Sequence, residues 1–169
     1  VPDGSRQPDG VTVEWQPGSL SGTFYFGFDR RVHLKDLDAN SASTVLHEYG
    51  HAIMHNVYGV FMGNDCLNPH FINMAAGNRC SWSEGWPSFF ALYVKWDPVF
   101  RYPCALPCTA PSSVNYETRQ ASASPYAWDT GERVEGNVTA ALWDFVDAYA
   151  DPLTEGLDET NSAITPFWK

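Results

Sequence analysis

Positive charge is scarce in this chain. Ten Lys and Arg, only three of them Lys, stand against twenty Asp and Glu, which gives a formal net charge of −10. A surface of that sign repels phosphate backbones and anionic lipid headgroups, so neither nucleic acid nor a membrane is expected as a partner. Apolar runs long enough to span a bilayer are also missing. The 169 residues, with 44% hydrophobic content, predict one globular domain with a sizeable core.

Cysteine is nearly as scarce, and its four copies lack the C-x-x-C spacing that would favour a Cys₄ metal site. An even number indicates two disulfides, formed in an oxidising compartment outside the cell. The simplest pairing is Cys66–Cys80 with Cys104–Cys108, and the other two connectivities stay open. Because the chain shows no initiator Met and no signal peptide, we expect a matured or excised piece of a longer, secreted protein.

One stretch carries the chemistry, because His47, Glu48 and His51 match the pattern H-E-x-x-H. Residues four apart lie one turn apart on the same face of a helix, so the two imidazoles can converge on one Zn²⁺. Glu48 would lie beside the metal, where it can take a proton from a metal-bound water. The surrounding residues predict the required helix through N-cap candidates (Asn40, Ser41, Ser43), a C′ glycine (Gly59) and a helical apolar series (Val45, Leu46, Tyr49, Ile53, Val57).

A third ligand must come from outside this helix, because a position eight residues on lies about 12 Å away along the axis. Glu84 is predicted to stand at the start of a second helix, since Pro87 is tolerated best in a first turn. There it is either a capping partner of Ser81 or the third zinc ligand. Its neighbour Gly85 leaves room for a close backbone approach, which favours the ligand.

The remaining patterns predict an α+β fold. Alternating residues predict three short strands at 11–15, 23–28 and 32–35, forming a small antiparallel sheet on the zinc helix. The last strand is expected to offer an open edge over the cleft. Residues 97–128 are expected to be irregular, and a capping-box-like start at Asp129 predicts a third helix. We expect a single catalytic domain over 1–169, with sheet and zinc helix in 1–60 and a mainly helical C-terminal subdomain in 61–169.

The quoted motifs resemble the gluzincin zinc metallopeptidases, and most closely a secreted bacterial group. That group has an H-E-Y-G-H helix, a W-S-E-G-W segment and a later V-E-G-N-V-x-x-A-L-W-D helix, matched here by residues 47–51, 82–86 and 134–144. The resemblance implies that His47, His51 and Glu84 bind one catalytic zinc. Thermolysin-like members have an Asp four residues after the ligand Glu to orient a zinc-binding His, and this chain has Ser88 there. A carboxylate from elsewhere is therefore expected, with Glu135 as the candidate.

The expected function is a secreted zinc metallopeptidase acting on peptide or protein substrates, with endopeptidase action. Glu48 is the expected general base. The tetrahedral oxyanion needs a further donor, for which His70, Tyr116, Tyr126 and Arg133 are candidates. The alternative is a secreted binding module with a structural or vestigial zinc site. A Ca²⁺ site is a weaker expectation for the acidic residues Asp147, Asp151, Glu155 and Asp158. We expect these residues to form a solvent-exposed acidic tail instead.

Overall fold

The computed structural model describes residues 10–60, 65–66, 70–103, 112–118, 120–121 and 128–147, and they form the predicted α+β fold. The strands are β1 (Thr12–Trp15), β2 (Phe24–Phe26), β3 (Arg31–Leu34), β4 (Val99–Arg101), β5 (Ser113–Asn115) and β6 (Gln120–Ala121). The helices are α1 (Ala42–Tyr58), α2 (Asn78–Lys95) and α3 (Glu135–Asp147). A short 3₁₀ helix at Asp36–Asn40 leads into α1.

The N-terminal sheet is mixed rather than antiparallel, with the strand order β1-β3-β2. Strand β2 pairs antiparallel with β3, whereas β1 runs parallel to β3 on its other side. Residues 16–30 connect the two parallel strands and exceed the dozen or so residues that such a crossover needs. Alternation of apolar and polar residues looks the same in either direction, so it did not decide the pairing. The open edge beside α1 is therefore β2, and the predicted edge strand β3 is central.

One face of this sheet packs on α1. The buried contacts there come from Tyr25, Val32, Leu34 and Ala52. The three phenylalanines that share a face of the second predicted strand, Phe24, Phe26 and Phe28, are instead exposed. The hydroxyl of Tyr25 lies 2.8 Å from Nδ1 of His55, which fastens the edge strand β2 to the helix.

Helix α1 begins and ends where the sequence predicts. The side chain of Ser41 accepts a hydrogen bond from the backbone N–H of Thr44 at 3.1 Å, as an N-cap does. Gly59 ends the helix in the left-handed conformation, with φ 72°. Ser41 also donates to the carbonyl oxygen of Arg101 at 2.6 Å, so the start of α1 is tied to β4.

Helix α2 begins at Asn78, earlier than the sequence predicts, so Glu84 and Pro87 both lie in its interior. Its first turn is capped from a distance, because the carboxylate of Asp65 accepts from the backbone N–H of Cys80 at 2.6 Å. Local sequence signals do not reveal a cap that comes from so far upstream. The prediction that Glu84 stands at the helix start was therefore wrong.

The disulfide Cys66–Cys80 is formed, as predicted. It joins the residue after Asp65 to the first turn of α2, so the capping carboxylate is held beside the helix. The second predicted pair, Cys104 and Cys108, lies outside the described residues.

Helix α2 is the middle layer of the fold, with α1 on one side and α3 on the other. Both crossings are close because each has a glycine at the contact. A Cβ added to Gly50 of α1 would lie 2.8 Å from the Cα of Pro87, and one added to Gly85 would lie 2.8 Å from the carbonyl oxygen of Glu135. The expected close backbone approach at Gly85 is confirmed, and its partner is α3.

A second small sheet, with the order β4-β5-β6, occupies part of the segment that was expected to be irregular. Its strands have two or three residues each, too short for alternation to be recognised. Phe100 of β4 pairs with Val114 of β5, and both are buried against α2 and α3 in one core with Leu92 and Trp143. Among the described residues after α1, the helices α2 and α3 still make up most of the regular structure, and this small sheet packs beside them.

Helix α3 begins at Glu135, six residues after the capping-box-like Asp129. The carboxylate of Asp129 instead accepts from the backbone N–H of Ala75 at 2.8 Å, and Ala75 forms a bridge with Val134. Residues 129–134 thus contact another part of the chain rather than starting a helix. Within the described ranges, no helix has the length and apolar character that a membrane crossing requires.

Replacing Gly85 by alanine should lower the free energy of unfolding by about 1–3 kcal/mol, because the new methyl group would overlap the backbone of α3. This loss should outweigh the better helix propensity of alanine, about 1 kcal/mol. Gly10→Ala is the control, since an added Cβ meets no atom within 4 Å there. Urea denaturation measures both variants. A Gly85→Ala protein as stable as its parent would contradict the close crossing.

Candidate metal centre

Helix α1 brings two imidazoles together on one face. The rings of His47 and His51 have centroids 4.8 Å apart, and their Nε2 atoms are 3.1 Å apart. Both side chains are largely buried, at 14% and 11% exposure, so their positions are set by packing. The predicted pairing of these two residues on one helix face is therefore present.

Helix α2 adds a carboxylate to this pair. Oε2 of Glu84 lies 3.3 Å from Nε2 of His47 and 3.3 Å from Nε2 of His51. The helix can come this near because Gly50 of α1 has no side chain where Pro87 of α2 approaches. Two nitrogens and one oxygen from two helices thus face one another.

These three atoms have the spacing of ligands on a zinc ion. Zinc holds nitrogen and oxygen ligands at about 2.0–2.2 Å in a tetrahedron, so neighbouring ligand atoms are about 3.3–3.5 Å apart. The separations between His47, His51 and Glu84 are 3.1, 3.3 and 3.3 Å. The donor set of two imidazoles and one carboxylate is also one that catalytic zinc sites use. The residues present therefore fit the metal.

Among the described residues, one other group has three potential ligand atoms close together: Cys66, His70 and Cys80. Its two sulfurs are joined in a disulfide, which leaves the histidine as the group's single free ligand. The cluster of His47, His51 and Glu84 is therefore the stronger metal candidate.

A hydroxyl contacts the nitrogen of the His47 ring that is not part of the cluster. Nδ1 of this ring lies 3.0 Å from Oγ of Ser88, which follows Glu84 by one turn of α2. Ser88 occupies the place where a carboxylate was expected, and Oε2 of Glu135, the residue considered for it, lies 3.1 Å from Nδ1 of His70. Ser88 reaches the ring because it lies on the same face of α2 as Glu84.

Glu48 lies beside the three-atom cluster rather than in it. Its Oε2 accepts a hydrogen bond from the backbone N–H of Tyr25 at 2.7 Å, and the side chain is buried. Because Tyr25 belongs to the edge strand β2, the sheet orients this carboxylate toward the cleft. That contact joins residues far apart in the chain, so no sequence pattern indicates it.

His47 and Glu84 strongly shift each other's pKa values. Burial alone would lower the pKa of His47, but its hydrogen bond to Glu84 and the charges of Glu48 and Glu84 outweigh burial and raise that pKa to about 9. Burial likewise disfavours the charged form of Glu84, and hydrogen bonds from the two histidines reverse this effect and hold its pKa below the usual range. In the metal-free protein the pair is therefore an imidazolium and a carboxylate, and protons compete with metal for His47.

The cluster and Glu48 line a cleft of about 530 Å³. The same cleft is lined by Phe24 and Tyr25 of β2, by Thr23 just before that strand, and by His70, Tyr102 and Glu135. The hydrogen bond to Glu135 raises the pKa of His70, so its ring is more often protonated near neutral pH than an ordinary histidine. Burial, with the charge of Glu135, raises the pKa of Tyr102, which keeps its hydroxyl neutral.

Of the four residues predicted as oxyanion donors, His70 alone is among the described residues that line the cleft. Tyr116 is buried in the core between α2 and α3. Arg133 is exposed and donates from Nε to the carbonyl oxygen of Ala76 at 2.7 Å. Tyr126 lies outside the described residues, as do three of the four acidic residues considered for Ca²⁺, the fourth being Asp147 at the end of α3.

A family model described as Mycolysin C-terminal domain matches residues 2–166. The chain belongs to this family. No curated protein and no solved structure gives a significant match. The family relates the chain to a metalloprotease, in agreement with the resemblance seen in its motifs. Its description names a domain by its position in that protease and assigns no catalytic step to it.

The motif at residues 134–144 has a structural role that its sequence alone did not show. Glu135 reaches the cleft and binds His70, and Thr139 donates to the carbonyl oxygen of Gly85 at 3.0 Å. A Cβ on Gly136 would lie 2.2 Å from the ring of Trp128, so this glycine lets α3 dock. The motif therefore places α3 against the helix that carries Glu84.

Four residues of the site had no role or a different one in the sequence-based prediction: Tyr25, Ser88, Tyr102 and Glu135. Ser88 carried a usable signal, because its spacing of four from Glu84 places both on one helix face. The others reach the cleft through strand pairing and helix packing. No local signal indicates Tyr25 or Tyr102, and Glu135, which the sequence indicated as a partner of a zinc-binding histidine, contacts His70 instead.

In the metal-free protein, we expect the ring of His47 to titrate near pH 9 rather than near its ordinary pKa of about 6.5. Glu84→Gln removes a charge that raises this pKa, so titration in that variant should move to lower pH. Proton NMR of the ring in the presence of a chelator measures both. Titration of His47 near 6.5 in the parent protein would contradict the ion pair. Zinc affinity should fall as the pH drops below 9, since only the neutral ring binds metal.

Proposed function

We propose that this domain is a secreted zinc-dependent peptidase whose metal ligands are His47, His51 and Glu84 and whose general base is Glu48. The observation that supports it is the three-atom cluster, with edges of 3.1 to 3.3 Å, beside a separately oriented carboxylate in one open cleft. A zinc ion held there supplies a Lewis acid that polarises a carbonyl and lowers the pKa of water to about 7. The proposal takes residues 1–169 as one catalytic domain.

The contacts of Glu48 support its proposed role as general base. The N–H of Tyr25 holds one oxygen of its carboxylate at 2.7 Å, which leaves Oε1 to accept a proton from a water in the cleft. The same oxygen then delivers this proton to the nitrogen of the leaving amine. A closed structural metal site would have no use for such a carboxylate, so its presence favours catalysis over a purely structural site.

His70 is the favoured donor to the oxyanion that forms on the scissile carbonyl. Its Nδ1 is engaged by Glu135, and this bond leaves Nε2 as the nitrogen that donates into the cleft. The raised pKa of His70 increases the share of its charged form, which is the stronger donor. Tyr102, also in the cleft and neutral, is a second donor. Tyr116 and Arg133 make structural contacts instead: Tyr116 packs in the core, and Arg133 donates to a backbone carbonyl.

The edge strand β2 lies along the cleft and suits a peptide substrate in an extended conformation, beside the Tyr25 N–H that Glu48 already occupies. An extended chain can add to a sheet edge through its backbone, with its side chains alternating to either side. Phe24 and Tyr25 of this strand, with Thr23 just before it, line the cleft next to the cluster. A peptide bound there would place a carbonyl near Glu48 and the metal ligands. The disulfide Cys66–Cys80 supports secretion, because such bonds persist outside the cell.

A second candidate is a protease-associated binding module that uses the same cleft and metal without hydrolysis. The observation that favours it is the family description, which names the C-terminal domain of a protease rather than an enzyme. This alternative predicts peptide binding that depends on the metal but not on the proton chemistry of Glu48. Substitution of Glu48 therefore separates the two.

Glu48→Gln should lower kcat for a generic peptide substrate by at least about 10²–10⁴-fold, while zinc content and peptide affinity are retained, because only the base is lost. Glu14→Gln is the matched control. Glu14 lies on the exposed face of the N-terminal sheet, paired with Arg31, and its substitution should leave kcat unchanged. Zinc analysis and peptide hydrolysis are measured on all three proteins. Binding without hydrolysis in the parent protein would establish the binding module and refute the peptidase.

The proposed role of His70 predicts a pH-dependent kcat. His70→Ala should lower kcat by about 10²–10³-fold, as loss of an oxyanion donor does, with little change in KM. In the parent protein kcat should fall as the pH rises through the pKa of His70, which lies above its ordinary value. Glu135→Gln lowers that pKa, so the decline should begin at lower pH. An identical alkaline decline in both proteins would rule out His70 as the titrating donor.

A further inference from the structure

Tyr25 is the one buried residue of β2, because Phe24 and Phe26 on either side of it are exposed. It makes two hydrogen bonds to α1, one from its backbone and one from the tip of its side chain. The N–H donates to Oε2 of Glu48 at 2.7 Å, and the hydroxyl lies 2.8 Å from Nδ1 of His55. All three residues are 7% exposed, so water competes little for either bond. A single residue therefore joins the strand that lines the cleft to the helix packed against it.

The two attachment points are well separated along α1. Glu48 and His55 are seven residues apart, which is about two turns or 10 Å along the axis. One contact alone would let β2 pivot on the helix, whereas two contacts this far apart fix its direction as well as its position. His55 is not among the residues that line the cleft, yet its bond restricts where the N–H of Tyr25 can lie.

The remaining residues of β2 do little to hold it on α1. The strand has three residues and pairs with β3 on one side. Because side chains alternate along a strand, Phe24 and Phe26 lie on the sheet face opposite α1, where Phe24 stacks on His33. The ring of Tyr25 instead meets the ring of His55 edge-on, with centroids 5.9 Å apart. A short edge strand opens locally at low cost, so its position depends strongly on Tyr25.

The protonation states of the two side chains suit the second bond. Burial, with the charge of Arg30, lowers the pKa of His55, so its ring is neutral near neutral pH and can accept at Nδ1. Burial raises the pKa of the Tyr25 hydroxyl, which therefore keeps the proton that it donates. A charged imidazole could not accept from this hydroxyl, because both of its nitrogens are then donors.

We propose that His55 is a positioning residue for the general base Glu48 and acts through Tyr25. This inference rests on the proposed peptidase, in which Glu48 takes and delivers the proton. His55 holds the hydroxyl of Tyr25, and the N–H of Tyr25 holds Oε2 of Glu48, so that Oε1 is left in place for the proton. The residue that continues the four-residue spacing of His47 and His51 along α1 thus serves the site without binding its metal.

Peptide hydrolysis by Tyr25→Phe tests this role, because the variant loses the hydroxyl and keeps the ring and the backbone N–H. We expect kcat to fall with little change in KM, since the base acts in the transition state. A misplacement of 1 Å can cost about 100-fold, and pairing with β3 limits the shift, so we expect a loss of about 10-fold. Zinc content should be unchanged. Tyr93→Phe, an exposed tyrosine on α2, is the matched control and should keep the parental kcat.

The acceptor can also be removed and restored at His55 itself. Leucine and asparagine have similar shapes, but only asparagine carries an acceptor oxygen one bond from Cγ, where the histidine has Nδ1. His55→Leu should therefore lose about as much kcat as Tyr25→Phe, and His55→Asn should retain most of the parental value. The double variant of Tyr25→Phe with His55→Leu should lose no more than the larger single loss, because both changes break one bond.

Amide hydrogen exchange reports the position of the Tyr25 N–H without any catalysis. In Tyr25→Phe and His55→Leu, the amide of residue 25 should exchange about 2–10-fold faster than in the parent, as expected for the loss of one hydrogen bond. The amide of Leu92, in the interior of α2, should keep its parental rate. This comparison separates a local loosening of β2 from a general loss of stability.

Two results would overturn the inference while leaving the peptidase intact. One is a Tyr25→Phe enzyme with the parental kcat. The other is equal kcat in His55→Leu and His55→Asn, since the acceptor would then have no role. Should Tyr25→Phe fail to fold, the two variants of His55 decide the question. A parent protein that hydrolyses no peptide would instead overturn the proposed peptidase and this inference together.

Discussion

The close crossing of α1 and α2 is the contact on which the rest of the site depends. Gly50 lies between the two histidines of α1 in sequence, and Pro87 of α2 packs where its side chain would be. Any larger residue at Gly50 would push α2 away and carry Glu84 with it. With the helices in contact, the carboxylate oxygen lies 3.3 Å from both imidazole nitrogens. The glycine of the first motif and the proline that follows the second therefore act together.

The crossing involves a proline inside a helix. Pro87 lacks the N–H that a helical residue donates to the preceding turn, which normally costs about 3 kcal/mol or more. Its Cα and Cβ lie 2.8 and 3.0 Å from the position that a Cβ on Gly50 would take. The cap from Asp65 and the disulfide Cys66–Cys80 stabilise the N-terminal end of the same helix. The helix that supplies Glu84 is thus held by tertiary contacts more than by its own sequence preferences.

The cleft is assembled from elements that each contribute one kind of group. Helix α1 supplies two nitrogens and the proposed base, and α2 supplies the carboxylate and the hydroxyl behind His47. The edge strand β2 orients the base, and α3 provides Glu135, which binds His70. Negative charge is concentrated here, as the raised pKa of His47 reflects. A cation is the ligand that would relieve this charge, which agrees with the zinc-like spacing of the cluster.

The sequence by itself determined the α+β class, the limits of α1, the disulfide Cys66–Cys80 and the placing of His47, Glu48 and His51 on one helix. Caps and helical periodicity act within a few residues, and the two cysteines are only 14 residues apart in sequence. Only the tertiary structure decided the mixed sheet, the edge at β2, the early start of α2 and the second sheet. It also decided that Ser88 rather than Glu135 contacts His47, and that Tyr25 orients Glu48. The physical reason is the same in each case, because such contacts join segments whose separation in sequence carries no periodic signal.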